Sequence, residues 1–412
     1  MQGISALAIP WYVVKDLGLS STWGIIYLLV TAVVLFWGIY AGSLIDRYSR
    51  KVILISNPFF CGISLIILSC FFGDGISNLM LCSFCFLCIF LSYSLHFPNL
   101  YAVCQEMSNE NSYGKMNSIL EIQGQFSLIV AGSIAAFLMH GAPDGIWPIL
   151  GAKLNIGIVF NALPISKIIF YNGIGLCISA LLVFWIRYEV VNKRTIEEGS
   201  VLKRIKSGFR FLFFNHYLFI FGICSFTIFF AVIIVNFMTS PQYIANHLNG
   251  GADVYGISEV YFGVGSALAG ALAFNLFGRF HAIYGIGFLI MIAALCLIGF
   301  YVNTSIPMYY LGFVFLGFSN AGARVLRMTY LLKSIPNEVV GRANSVFNVL
   351  NSLGRLIFIG LFSLPFFAIS NNVIYTMAIL GLVLIISLVV CWNYREKIIY
   401  WQLNNQWIES EQ

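Results

Sequence analysis

The 412-residue chain is 60% hydrophobic and only 9% charged, with a mean hydropathy of +0.89. No water-soluble domain carries that composition, so the chain must dissolve in lipid. Its net charge of +6 is scattered over short loops, which leaves no basic domain for nucleic acid. An enzyme reading fails as well: no Ser/His/Asp array, metal-ligand cluster or phosphate-binding glycine loop stands in the sequence, and no cofactor or metal is expected.

Apolar runs of roughly 20 residues, enough to cross about 30 Å of hydrocarbon, recur from end to end. They lack the period-two alternation of a barrel, so the backbone is satisfied within helices and the predicted fold class is all-α membrane. The predicted spans of the first half are Met1 to Val14, Trp23 to Ile45, Val52 to Phe72, Ser77 to Val103, Met116 to His140 and Ser166 to Tyr188. Those of the second half are Asn215 to Ser240, Tyr255 to Phe277, His281 to Val302, Met308 to Tyr330, Gly341 to Ala368 and Asn372 to Trp392. The first span is short, about 14 residues or about 21 Å of rise. It has neither the basic flank nor the cleavage site of a signal peptide, and is expected to be the latter part of a truncated helix.

Orientation follows from Lys and Arg. With the amino terminus inside, 18 of the 22 basic residues, Arg324 and Arg327 among them, fall in the cytoplasm; Lys15, Lys153 and Lys167 fall outside, and Arg355 lies within a helix. Both termini are then cytoplasmic by the positive-inside rule. The longest connection, Arg187 to Phe214, divides the chain near its middle. The predicted domains are a six-helix bundle over 1–188, a cytoplasmic linker over 189–214, a second bundle over 215–392 and a cytoplasmic tail over 393–412.

The halves repeat. Glu110, Gly114, Lys115, Asn117 and Ser118 after span four are answered by Glu338, Gly341, Arg342, Asn344 and Ser345 after span ten. The offset is 338 minus 110, or 228, for the acid and 341 minus 114, or 227, for the other four, a register kept to within one residue, and Gly42 and Leu44 match Gly270 and Leu272 at 228. Parallel repeats of six helices around a long central loop are a transporter architecture.

The stretch Gly42-Ser43-Leu44-Ile45-Asp46-Arg47-Tyr48-Ser49-Arg50-Lys51-Val52-Ile53-Leu54 resembles the major facilitator signature between helices two and three, G-x-L-x-D-R-x-G-R-[KR]-x-x-L. Ser49 replaces one glycine. The resemblance implies a 12-helix major facilitator fold of two pseudo-repeated six-helix bundles. It also implies a conformational latch of Gly42, Asp46, Arg47, Arg50 and Lys51 acting on Gly341 and Arg342 at the start of helix eleven, a carboxylate set against a helix end and its cations. Phe274 stands where the second half would carry the matching acid, so the latch is expected on one side only.

The linker Ile205-Lys206-Ser207-Gly208-Phe209-Arg210-Phe211-Leu212, together with Pro241-Gln242-Tyr243-Ile244 and the opening Ala8-Ile9-Pro10-Trp11-Tyr12, is similar to the third drug:proton antiporter group. That group includes macrolide efflux proteins and enterobactin exporters. Ser207 replaces the group's linker acid. The resemblance implies export of drug- or siderophore-class molecules in exchange for protons.

Charges inside spans are costly and usually functional. Glu121, with Gln125 one turn on, is a proton carrier or a salt-bridged structural carboxylate. Arg355, with Asn348, Asn351 and Ser352 on its face, binds an anionic cargo group or the carboxylate of a coupling acid, or makes a structural pair. His96 is a weaker titratable candidate set against a satisfied structural histidine, and Glu259 an external proton entry point set against a solvated rim acid. Asn236, Asn320, Tyr27, Tyr93 and Gln123 are candidate cavity-wall residues. Cys82, Cys85 and Cys88 recur at every third residue without nearby ligands and read as packing rather than a metal cluster.

The expected protein is a proton-coupled exporter of amphipathic small molecules. It is expected to be monomeric and integral to a bacterial cytoplasmic (inner) membrane, with a small-molecule substrate, protons and the lipid bilayer as partners. Uptake of a nutrient, lipid or metal chelate is the alternative within transport; a non-transporting sensor or assembly partner is the alternative outside it.

Overall fold

The structure is a computed structural model that describes residues 2–73, 75–107, 113–143, 145–149, 152–155, 157, 159–188, 201–277, 281–335 and 337–405. Its helices are α1 (Gln2–Trp11), α2 (Ser20–Arg47), α3 (Arg50–Ser69), α4 (Ser77–Met107), α5 (Tyr113–His140), α6 (Ile165–Trp185), α7 (Val201–Phe214), α8 (His216–Ile234), α9 (Ser240–Gln242), α10 (Ala252–Phe277), α11 (Ala282–Val302), α12 (Ile306–Ser334), α13 (Asn337–Phe362), α14 (Pro365–Ala368), α15 (Val373–Asn393) and α16 (Arg395–Asn405). Among the described residues, nine stretches are helical, long and apolar enough to cross a membrane.

The chain forms two compact units. One takes Met1–Glu198 with Ser240–Val260, the other Gly199–Thr239 with Tyr261–Gln412. Between α5 and α6, a connection for which the sequence analysis named no element, Gly141–Ala142 pairs antiparallel with Phe160–Asn161, and Ile146–Ile149 with Ala152–Asn155. Gly141, Gly145 and Gly157 take φ of 70°, 66° and 66° there, a region closed to most side chains, and so let the chain reverse.

Small residues bring helices together where lipid supplies no hydrophobic drive. In the first unit α3 crosses α6 at Gly62 and Gly173: a Cβ on either would lie 2.7 Å from the other's carbonyl oxygen. The second unit repeats the device between α10 and α12. A Cβ on Gly265 would collide with the Val314 carbonyl, and one on Gly317 with the Phe262 carbonyl.

A second internal repeat emerges from the backbone. Tyr12–Asp16 and Tyr243–His247 are both π-helical turns. Each begins at the tyrosine of a Pro-x-Tyr, Pro10-Trp11-Tyr12 and Pro241-Gln242-Tyr243; proline lacks an N–H and crowds the preceding turn, so the helix gives way there. Leu17 and Leu248 donate their backbone N–H to the Tyr12 and Tyr243 carbonyls, both at 3.0 Å. Gly18 and Asn249 then turn the chain with φ of 68° and 51°. The offset is 243 minus 12, or 231, and α9 packs against the Tyr12–Asp16 turn within the first unit.

The cores are aromatic and aliphatic. Tyr27, expected on a cavity wall, is 1% exposed and packs among Trp23, Phe86 and Phe90; at that site an apolar ring cluster claims the tyrosine body. Tyr93 and Gln123 are exposed. Cys82 and Cys85 are fully buried and Cys88 partly so, all as free thiols, in keeping with packing. No metal-binding group of His, Cys, Asp or Glu forms among the described residues.

Candidate functional site

Three polar constellations stand out, two in the first unit and one in the second. The first lies after α2. Arg50 sits with its Nε 3.7 Å from the Glu106 carboxylate on α4 and donates through Nη1 to the Ala102 carbonyl. Asn99 donates to the Arg50 carbonyl at 2.9 Å, and the Tyr188 hydroxyl donates to the same Glu106 oxygen that faces Arg50. Lys51 reaches the Ile186 carbonyl at 2.8 Å. Two cations of the basic loop thus tie the start of α3 to the ends of α4 and α6. Gly42 and Arg47 are exposed. Because the Arg50 and Glu106 side chains are each only 13% exposed, a double-mutant cycle of Arg50→Gln and Glu106→Gln, read by thermal unfolding in detergent, should give a coupling of about 1–3 kcal/mol.

The second constellation is the seam of α5 with the first half of α10. A Cβ on Gly132 would lie 2.8 Å from the Gly256 carbonyl oxygen and 3.1 Å from the Glu259 Cβ, and one on Gly256 would lie 2.7 Å from the Ala136 nitrogen. Three small residues let the two backbones touch. Glu259 is pressed into that seam and is 2% exposed. The expectation of a solvated rim acid is therefore wrong. Position near a helix start suggested water, but the approach of α5 excludes it. Trp11 stacks on Tyr255 at 6.0 Å, and beyond the seam His140 Nδ1 meets Asp253 Oδ1 at 3.3 Å.

The third constellation belongs to the second unit. Arg327 on α12 is 5% exposed. Its Nη1 donates to the Ser225 carbonyl on α8 at 2.9 Å, and its guanidinium lies 3.7 Å from the centre of the Phe226 ring. Asn351 on α13, also buried, donates to the Phe226 carbonyl at 3.2 Å. One turn further along α13, Arg355 donates to the Ser352 hydroxyl at 2.9 Å. Asn320 and Arg324 are half-buried, Asn236 is buried in the π-helical turn Val235–Thr239, and Asn348 is exposed. Gly208 on α7 lies against Arg342 at the start of α13: a Cβ there would sit 2.6 Å from the Arg342 carbonyl oxygen.

In the first unit, Gln125 and His96 are half-buried, and the His96 ring is edge-on to Phe97 at 5.5 Å. The side chains of Asp46 and Glu121 lie outside the described residues; the backbone there and at Gly341 is helical.

The Major Facilitator Superfamily model matches residues 1–359 and 222–398. The chain belongs to the major facilitator superfamily. Its fold is similar to that of a bacterial homolog of the human lysosomal transporter Spinster, solved inward-facing and unoccupied, with a TM-score of 0.66 and 14% identity over 97% of this chain and 95% of that one. The same homolog in its inward-facing, occupied form gives 0.66 and 14% over 96% and 94%. A D-xylose–proton symporter gives 0.65 and 15% over 94% of each chain. No curated protein sequence matches the chain. Membership makes this an integral membrane protein and a secondary transporter of small molecules by alternating access, a carrier and not an enzyme.

For this major facilitator, the residue that sequence reasoning missed is Arg327. The positive-inside count placed it with the cytoplasmic charges at the end of the predicted span Met308 to Tyr330, whereas the structure buries it against α8. The available signal was spacing. Asn320, Arg324 and Arg327 fall at intervals of four and three residues, a single helical face, and α12 continues through all of them to Ser334.

Proposed function

We propose that this transporter is a proton-coupled exporter of amphipathic small molecules, of drug or siderophore class. It would work as a monomer in a bacterial cytoplasmic (inner) membrane with both termini inside. The observation that carries the reading is Glu259. A carboxyl held at 2% exposure between α10 and the backbone of Gly132 can exchange its proton only when that seam opens. The seam joins a helix from each half of the duplicated sequence, so its opening is a step of alternating access and ties protonation to transport.

The direction of transport rests on the linker resemblance. Its glycine, Gly208, occupies a position where α7 touches the backbone of Arg342, which gives that residue a packing reason. Asp46, Gly42, Arg47 and Gly341 with Arg342 form the conformational latch in this reading, and Arg50 and Lys51 brace it through Glu106 and Ile186. Glu121, with Gln125 beside it, and His96 serve as further proton-handling candidates. Retention of amphipathic fluorescent drugs in intact cells tests the direction. Expression should lower cell-associated drug, and Asp46→Asn or Glu121→Gln should restore it; drug accumulation on expression would overturn the export assignment in favour of uptake.

A further inference from the structure

In the second unit a short basic helix runs straight into a membrane-long one. The helix α7 carries Lys203, Arg204, Lys206 and Arg210 and no acid, and no Asp or Glu occurs between Glu198 and Asp253. Its residues sort by face, as an advance of about 100° per residue requires. Gly208 and Leu212 are buried and Phe211 is half-buried. That face lies on α13, where Gly208 meets the backbone of Arg342. The opposite face is exposed. Lys206 and Arg210 stand on it one turn apart, flanked by Phe209 at 47% exposure and by Phe213 and Phe214 at 70% each. The Arg210 guanidinium lies 5.9 Å from the centre of the Phe214 ring, and Phe209 is edge-on to Phe219 of α8 at 6.3 Å.

Connectivity fixes the level at which this face sits. Asn215 alone separates α7 from α8, whose membrane-long stretch begins at His216. Arg342, under Gly208, is the first residue of another such stretch, Arg342–Phe362. A third, Val373–Asn393, ends beside the same place, where the Tyr394 ring lies 6.3 Å from that of Tyr217. With three span ends beside it, the exposed face of α7 lies at the boundary between hydrocarbon and headgroups. Phenylalanine rings are unfavourable in water and cations are unfavourable in hydrocarbon. A helix lying in the plane of the interface satisfies both, with its rings toward the acyl chains and the long Lys and Arg side chains reaching to the phosphates. Four cations without an acid on one short helix favour lipids of net negative charge over zwitterionic ones. On α16, at the same level, Arg395 is instead paired with Glu396 at 3.0 Å.

We propose that α7 is an interfacial lipid-binding helix, with Phe209 and Phe213 in the acyl boundary and Lys206 and Arg210 on the headgroup phosphate of an anionic phospholipid of the surrounding leaflet. This role is separate from cargo binding and holds for either direction of transport.

The test titrates full-length protein in mild detergent with phosphatidylglycerol and with phosphatidylcholine of the same chains, and counts bound lipid by native mass spectrometry. Phosphatidylglycerol should bind at least about tenfold more tightly, and Lys206→Gln combined with Arg210→Gln should bring the two lipids to within about threefold. Both side chains are exposed, so the double variant should still elute as a monodisperse species. A second readout locates the face. Phe213→Trp protein in vesicles adds a tryptophan whose emission, taken as the difference from wild type, should be quenched by phosphatidylglycerol brominated in its chains. Equal affinity of the wild-type protein for the two lipids overturns the proposal, and so does a preference that survives the double substitution. A difference emission that the brominated lipid leaves unquenched overturns it too, because the face then lies in water or against a protein partner.

Discussion

Gly265→Leu should leave no correctly folded protein in the membrane. The side chain would have to grow into the Val314 carbonyl, with the Val314 carbon at 2.7 Å and the Phe318 nitrogen at 3.0 Å from its first atom. These are backbone atoms and cannot turn aside as a flexible side chain would. The crossing is reciprocal, because a Cβ on Gly317 would meet the Phe262 carbonyl, with Phe262 carbon at 2.9 Å. Separating α10 from α12 loses the close packing that holds helices together in lipid, and overpacking of this kind costs roughly 3 kcal/mol or more. Gly317→Leu should behave the same way. Gly270→Ala and Gly299→Ala, where an added Cβ meets nothing within 4 Å, should express and elute like the wild type. Fluorescence-detected size exclusion of membranes solubilised in mild detergent checks all four. A monodisperse Gly265→Leu peak at the wild-type position would contradict the packing.

Glu259→Gln should abolish the coupling of transport to the proton gradient while leaving the fold intact. The amide has the carboxyl's shape, so the seam against Gly132 and Gly256 can still close, but it does not ionise at physiological pH and so cannot release and rebind a proton. A proton moving down about 100 mV supplies about 2.3 kcal/mol, which supports roughly a 50-fold cargo gradient. In reconstituted vesicles that gradient should fall to equilibration in Glu259→Gln, with facilitated exchange of cargo for cargo retained. If the variant still concentrates cargo against a gradient, Glu259 is a packing residue and the proton is carried elsewhere. The other titratable pair near this seam, His140 with Asp253 at 3.3 Å, is the control. Asp253→Asn should change cargo affinity or stability without removing coupling.

Hydropathy made the membrane-spanning helices legible because it is a local property of the chain. The all-helical membrane class follows from residues such as Val373–Asn393 with no acid or base among them. The short strands between α5 and α6 were not legible, since their pairing depends on positive-φ glycines at 141, 145 and 157 rather than on a strand-like apolar alternation. Glu259 was misread because its burial is supplied by Gly132 and Ala136, more than a hundred residues earlier in the chain. Arg327 was misread for the opposite reason. Arg324 and Lys333 beside it grouped that end of the predicted span Met308 to Tyr330 with the cytoplasmic charges, and the contact with Ser225 and Phe226 is what folds the guanidinium inward. Tyr27 went to the core because Trp23, Phe86 and Phe90 close around it. The Pro-x-Tyr repeat at Pro10 and Pro241 was in plain view. Its meaning needed the backbone, where both copies open into a π-helical turn and end at a positive φ.

Everted membrane vesicles that carry the protein test the account most directly. An interior-acid gradient imposed across them should drive an amphipathic fluorophore into the lumen, and a protonophore should release it. Accumulation that ignores the gradient, or that requires an interior-alkaline one, would contradict proton-coupled export.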